Sequence, residues 1–352
     1  MGDPLSAEQE KIKKLRLRTA DFLEEKREEI EEKNVQIVGS AHIVEGRATR
    51  VEGSSMFGTD VGAIEVEKGG HATYAKMSYQ GDVYETRPDR LKRILKDTGA
   101  ITTLATAGVE LEGETRFLKR NDGTRMIARL TLQRKTSPIG DPKRFVRMAA
   151  LARLAPKAVG LRDMYSIADT RPSNVGIHGT HDMYVAVKRM APQIEQIHIH
   201  MDMAPQIEQI HIHMDAAEYI ETYSKNGVRA LAEILEDIGG SKYRKYVERL
   251  QAEGSERNRK LVAKALAAVF REYPKTERYW KELAGDLRDL LRDARRDYPR
   301  TKTILNIERQ IKYLERRKDP YHVKAWHAAE ILKNMLKMWI YGRKRDGPVR
   351  RR

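Results

Sequence analysis

The chain has 352 residues, with 67 Lys plus Arg against 51 Asp plus Glu, 10 His and no Cys. That length suggests two or three domains, each able to bury a core, and the absence of Cys excludes disulfides, thiolate nucleophiles and Cys-ligated metal sites. No apolar run approaches the roughly 20 residues of a bilayer span, and the charged stretch after Met-Gly-Asp-Pro-Leu-Ser lacks the apolar core of a signal peptide, so the expectation is a soluble cytoplasmic protein with no membrane partner.

Charged residues make up 34% of the chain, and thermolabile amides are few, with 7 Asn and 10 Gln. This composition resembles that of thermophile proteins. The formal net charge of +16 is unevenly placed. Residues 241–352 hold 32 basic and 15 acidic side chains, whereas residues 1–240 hold 35 and 36. The whole excess therefore sits in the last third, which points to a polyanionic partner.

In chain order, residues 6–33 read as a long charged helix opened by a capping box, Ser6 with Gln9. A homodimer through this helix is one expectation. Residues 35–135 change character: half of the 24 Gly fall between Gly39 and Gly123. Short alternating runs occur at 35–38, 61–66, 71–79 and 109–112, with a hairpin signal at Asn121-Asp122-Gly123 between 116–120 and 124–133. A helix over 89–96, opened by Pro88, interrupts them. Residues 136–142 have linker composition, a short helix follows over 143–154, and 182–189 alternate as a strand.

From Ala216 onward the pattern is helical, with helices expected at about 216–225, 227–238, 241–252, 255–272, 276–298, 301–318 and 321–342. Ile304, Ile307, Ile311 and Leu314 form one apolar stripe, and Leu283, Leu287, Leu290 and Ala294 another. The expected class is α+β: an N-terminal helix (1–34), an antiparallel sheet-rich domain (35–135), a mixed segment (136–215), a basic helical bundle (216–342) and a basic tail (343–352).

Residues 190–202, Met-Ala-Pro-Gln-Ile-Glu-Gln-Ile-His-Ile-His-Met-Asp, are repeated word for word at 203–215. Two identical copies have not diverged in role. The second copy is expected as an added hairpin or bulged surface loop. Read as a strand, each copy places two imidazoles and a carboxylate on one face. His198 with His200, or His211 with His213, joined by His181 or Asp182, then forms a candidate site for Mn, Mg or Zn.

The His-Ile-His words are similar to the motif of HUH nucleases, the rolling-circle initiators and relaxases. Tyr219-Ile220-Glu221-Thr222-Tyr223-Ser224-Lys225 resembles the two-tyrosine, one-lysine helix of some of these enzymes. The resemblance implies a metal-dependent nuclease with Tyr219 or Tyr223 as nucleophile and Lys225 beside it. It covers about 50 residues, and Tyr219 follows the second His pair by only six. No Walker loop, G-x-G-x-x-G, G-x-S-x-G or H-E-x-x-H word is present.

All three Trp and eight of the 15 Tyr lie after residue 240, some among bases. Lys242, Arg244, Lys245, Arg278, Lys281, Arg343, Lys344 and Arg345 are the candidate nucleic-acid-binding residues, because cations release counterions from phosphates and aromatics stack on bases. The leading functional expectation is binding to DNA or RNA, in replication, recombination or mobile-element biology. The HUH-like nuclease and a virion or nucleoprotein component are the alternatives.

Overall fold

The computed structural model describes residues 36–38, 60–68, 71–83, 88–119, 125–134, 137–162, 165–180, 184–187, 204–239, 243–252, 259–298, 302–316 and 319–341. The expected helix over 6–33 with its dimer contact, the turn at Asn121–Gly123, the first copy of the repeat and the basic tail lie outside the described residues. The chain divides into two compact units. One comprises residues 1–99, 108–135 and 336–343, the other 100–107, 136–335 and 344–352.

In the first unit, β1 (Gln36–Val38), β2 (Asp60–Lys68), β3 (His71–Val83), β4 (Val109–Lys119) and β5 (Arg125–Arg134) pair antiparallel in the order β1-β2-β3-β5-β4. The registers include Lys68↔His71 and Lys119↔Arg125, the marks of sequential hairpins. Within this stretch of sequence, α1 (Pro88–Ala105) runs for 18 residues, far beyond the expected 89–96. It crosses the division between the units at residue 99.

The second unit is built on α2 (Pro142–Arg153). Asp141 caps it, with its carboxylate accepting from the Lys143 and Arg144 amides at 3.1 and 3.2 Å, and Pro142 opens the first turn. The run Phe145–Ala152 is buried throughout. A helix buried at eight successive positions, with one of them, Arg147, charged, belongs at the centre of a core. The short α3 (Ala155–Ala158) follows. Then come β6 (Tyr165–Ala168) with β9 (Tyr184–Val187), and β7 (Val175–Gly176) with β8 (Gly179–Thr180). Ile101, Leu104, Ala105, Ala152, Ala155, Tyr165, Ile167 and Ala329 share one buried cluster.

Six helices complete the unit's architecture: α4 (Ala204–Gly239), α5 (Arg244–Ala252), α6 (Arg259–Glu272), α7 (Glu277–Asp297), α8 (Lys302–Leu314) and α9 (Tyr321–Tyr341), the last ending within the first unit's span. α4 is kinked at Ser224, whose φ of 49° and ψ of −136° are non-helical. Gly227 is required just beyond the kink. A Cβ there would meet Tyr223 Cβ at 2.7 Å and Tyr219 Cε1 at 2.8 Å, closer than carbon atoms tolerate. The expected break between 225 and 227 corresponds to this kink.

Outside the five-stranded sheet of the first unit, the described residues are 78% helical, with strands only in the short pairs β6-β9 and β7-β8. The fold is mostly helical, which corrects the α+β, sheet-rich class expected from the sequence. Two misjudged segments account for much of the difference. One is the long α1. The other is residues 204–215, expected as a strand or bulged loop but forming the start of α4. Among the described residues no helix is long and apolar enough to cross a membrane.

Candidate nucleic-acid interface

α7 and α8 pack along the two apolar stripes legible in the sequence. Leu283, Leu287, Leu290 and Ala294 on one helix, and Ile304, Ile307, Ile311 and Leu314 on the other, are all buried. Ion pairs flank the helices: Arg288 with Glu315 at 2.5 Å, and Arg295 with Glu308. Burial of the isoleucine face fixes which residues of α8 point outward. Lys302, Leu305, Arg309 and Lys312, followed by Arg316 just past the helix end, are exposed. Their spacing of 3, 4, 3 and 4 places them in one row.

This row differs from the arginines of α7 and from Arg244, although Arg259, Lys260 and Lys264 on α6 are likewise exposed without an ion pair among the described residues. Most Arg side chains of α7 are matched: Arg292 to Asp289 at 2.9 Å, Arg296 to Asp293 at 3.2 Å, and Arg278 to Glu282 at 2.7 Å and to Asp237. On α5, Arg244 pairs with Glu248 at 3.1 Å. Lys302, Arg309 and Lys312 form no ion pair with any described residue. Paired surface charges largely cancel beyond the local Debye length, so an unpaired row presents the stronger field to a polyanion.

An aromatic cluster adjoins the C-terminal end of the row. The Arg316 guanidinium lies over the Tyr313 ring at 5.6 Å. Tyr313 packs on His327 with centroids 4.3 Å apart, and His327 meets Trp326 edge-on at 5.0 Å. Trp326 is 40% exposed and Leu305 50%, the two large hydrophobic residues recorded as exposed among the described residues. Burial pushes the His327 imidazole below its ordinary range, against the opposing pull of Asp319 and Glu330. Its Nδ1 is buried with no hydrogen-bond partner among the described residues. Lys324, also buried, donates from Nζ to the Arg316 carbonyl at the end of α8, where a cation suits the helix dipole.

The residues singled out from the sequence fall differently. Lys245 and Lys281 are exposed. Arg244 and Arg278 are exposed but engaged by carboxylates, as above. Lys242, Arg343, Lys344 and Arg345 lie outside the described residues. In the sequence the row on α8 is masked by the isoleucine stripe on the opposite face, and none of its residues stands out singly. The 3-4 spacing of bases was the signal that could have found it.

The tyrosines are placed for packing. Tyr219 and Tyr223 are buried on α4 and form an aromatic triad with Phe145, with centroids 5.0 to 5.6 Å apart. The Tyr219 hydroxyl donates to the Gly227 carbonyl at 2.9 Å, and the Tyr223 hydroxyl to the Ile139 carbonyl at 2.6 Å. Burial raises both phenols well above their ordinary range. A nucleophile needs an accessible oxygen that loses its proton readily, and neither tyrosine offers one, so the expected nucleophile role is corrected. Lys225 is exposed just past the kink.

The His pair of the second copy is corrected as well. His211 and His213 lie on α4, and His213 is exposed. Residues two apart on a helix are about 200° apart around the axis, so the shared face that a strand would create is lost. His181, Asp182, His198 and His200 lie outside the described residues. No cluster of three or more His, Asp or Glu suited to a metal occurs among the described residues.

The carboxylate of the repeat has a structural placement instead. Asp215 is buried and accepts from Arg153 Nη2 at 2.9 Å and from Thr170 Oγ1 at 3.3 Å. Arg153 Nε also donates to Thr170 at 2.8 Å, and its guanidinium lies 4.7 Å from the Phe270 ring centre. The arrangement ties α2, α4 and α6 together. Comparison of the chain with protein-family models, curated proteins and solved structures finds no match.

Proposed function

We propose that the protein binds nucleic acid, with the outer row of α8 as its electrostatic anchor. One observation supports this reading: Lys302, Arg309 and Lys312 share a face and have no carboxylate partner among the described residues, with Arg316 at the end of the same row. The row brings part of the unmatched charge of the C-terminal third onto one face of a single helix. From Lys302 to Lys312 the row spans about 15 Å at 1.5 Å per residue, enough to follow several phosphates. Cations in such a row release condensed counterions when they meet a phosphate backbone.

The test is a salt titration with the full chain and labelled oligonucleotides. If four phosphates are contacted, log affinity against log salt should fall with a slope near −3 on single strands and nearer −4 on duplex. Lys302→Glu with Arg309→Glu and Lys312→Glu should flatten that slope by about 2 to 3. Arg292→Gln with Arg296→Gln should leave it nearly unchanged, since those cations are already matched. No binding at low salt, or equal slopes for both variants, would refute the assignment.

A further inference from the structure

We infer that the α8–α9 surface takes single-stranded nucleic acid, gripping the backbone along α8 and stacking an unpaired base on Trp326. This rests on the nucleic-acid reading above and specifies the ligand of the same surface. The argument begins with Trp326. It is one of three Trp in the chain, and the other two, Trp280 and Trp339, are buried. An indole left 40% exposed is an unfavourable use of the largest apolar side chain unless something covers it.

The local geometry specifies what can cover it. The Trp326 and His327 rings meet at 80°, an edge-to-face contact. In either sense of that contact His327 leaves at least one indole face uncovered. The ring is also held in place, because His327 is itself packed on Tyr313 and Tyr313 lies under Arg316. A supported aromatic face at the end of a row of unpaired cations is the pairing that single-strand-binding surfaces combine. Leu305 lies within the row and supplies a second apolar surface among the bases.

The same features are poorly suited to a duplex. A duplex hides its base faces in the stack and presents phosphates outward. Against it, Trp326 and Leu305 would meet a charged, hydrated backbone. An unpaired strand can turn its phosphates to Lys302, Arg309, Lys312 and Arg316 while laying a base on the indole. Both DNA and RNA strands have this chemistry, and the test separates them.

The experiment uses the full chain with 20-nucleotide oligo(dT), oligo(U) and a 20-base-pair duplex, each labelled and followed by anisotropy. Intrinsic tryptophan emission is recorded in parallel. The expected result is single-strand affinity at least about tenfold above duplex affinity, with quenching of Trp emission on binding. Trp326→Leu should weaken strand binding by roughly 5-fold to 100-fold, abolish the quenching and leave duplex affinity unchanged. Trp326→Phe should restore most of the loss. The partly exposed position makes both variants foldable, and thermal melts check this. The tighter of the two strands names the sugar. Equal affinity for strand and duplex, or Trp326→Leu binding like the parent, overturns the inference and leaves the nucleic-acid reading standing. Absence of binding by every probe overturns the reading itself.

Discussion

Arg147→Ala should destabilise the second unit by about 3–5 kcal/mol, the cost of breaking a buried ion pair from one side. Arg147 lies on α2 with its guanidinium forked onto Asp286, Nε to Oδ2 at 2.6 Å and Nη2 to Oδ1 at 3.1 Å. Its Nη1 donates to Glu282 Oε2 at 2.8 Å, and the Tyr273 hydroxyl donates to that same oxygen at 2.6 Å. The Arg147 carbonyl accepts from the Tyr279 hydroxyl at 2.9 Å. One side chain thus joins the central helix to α7 and to the 3-10 turn before it. Removing it leaves Asp286, itself buried, with the Arg144 guanidinium at 3.8 Å as its remaining cation among the described residues. At 2–4 °C per kcal/mol for a unit of this size, the melting temperature should fall by roughly 6–20 °C. Arg147→Met combined with Asp286→Leu should recover much of the loss, because the orphaned carboxylate is then absent. A melt within 2 °C of the parent for Arg147→Ala alone would show that the network contributes little.

The same network has a pH signature. Burial pushes Glu282 upward, but hydrogen bonds from Arg278 and Tyr273 and the Arg147 charge outweigh it and hold the carboxyl below its ordinary value. A folded-state value below the unfolded one means that the folded form binds fewer protons in that window. Its contribution to stability is present above the unfolded value, near 4.5, and is lost as pH falls through the folded value. The stability deficit of Arg147→Ala relative to the parent should therefore narrow as pH falls below about 4.5.

Asp215→Ala is the second large effect. Arg153 would keep its half-buried setting against Phe270 while losing its carboxylate, and a loss of about 2–4 kcal/mol is expected, toward the lower end of the buried-pair range. Deleting residues 203–215 should behave oppositely, changing stability by less than about 1 kcal/mol and leaving nucleic-acid affinity intact. The deletion removes Asp215 but brings Asp202, the last residue of the same 13-residue word, directly against Ala216. The start of α4, including its Pro near the first turn, is then rebuilt from identical residues. Thermal melts of the two variants side by side decide the matter. If the deletion melts as low as Asp215→Ala, the first copy cannot replace the second.

Much of the helical arrangement was legible because each helix carries its own evidence. The stripe Ile304, Ile307, Ile311 and Leu314 repeats at 3.6-residue periodicity, and all four are buried on α8. Proline and glycine punctuation set the ends: the span expected at 276–298 is Glu277–Asp297, capped by the Thr276 side chain on the Tyr279 amide at 3.2 Å. The repeat was misread for a local reason. His-Ile-His-Met alternates over too few residues to distinguish a strand from a helix. Ala216, Tyr219, Ile220 and Tyr223 continue with helical spacing and bury one face, and the helix they form extends back through the histidines.

The sequence by itself determined where helices could form, that the last third carries the positive excess, and which isoleucine and leucine faces had to be covered. Those properties are set by neighbours three or four residues apart. Only the tertiary structure decided which charges remain unmatched, because Arg295 finds Glu308 and Arg288 finds Glu315 across two helices, while Lys302, Arg309 and Lys312 find no such partner among the described residues. It likewise decided that Tyr219 and Tyr223 close a core against Phe145 while Trp326 stays at the surface. Burial and charge pairing depend on what a distant segment brings alongside, and one strand of sequence does not record that.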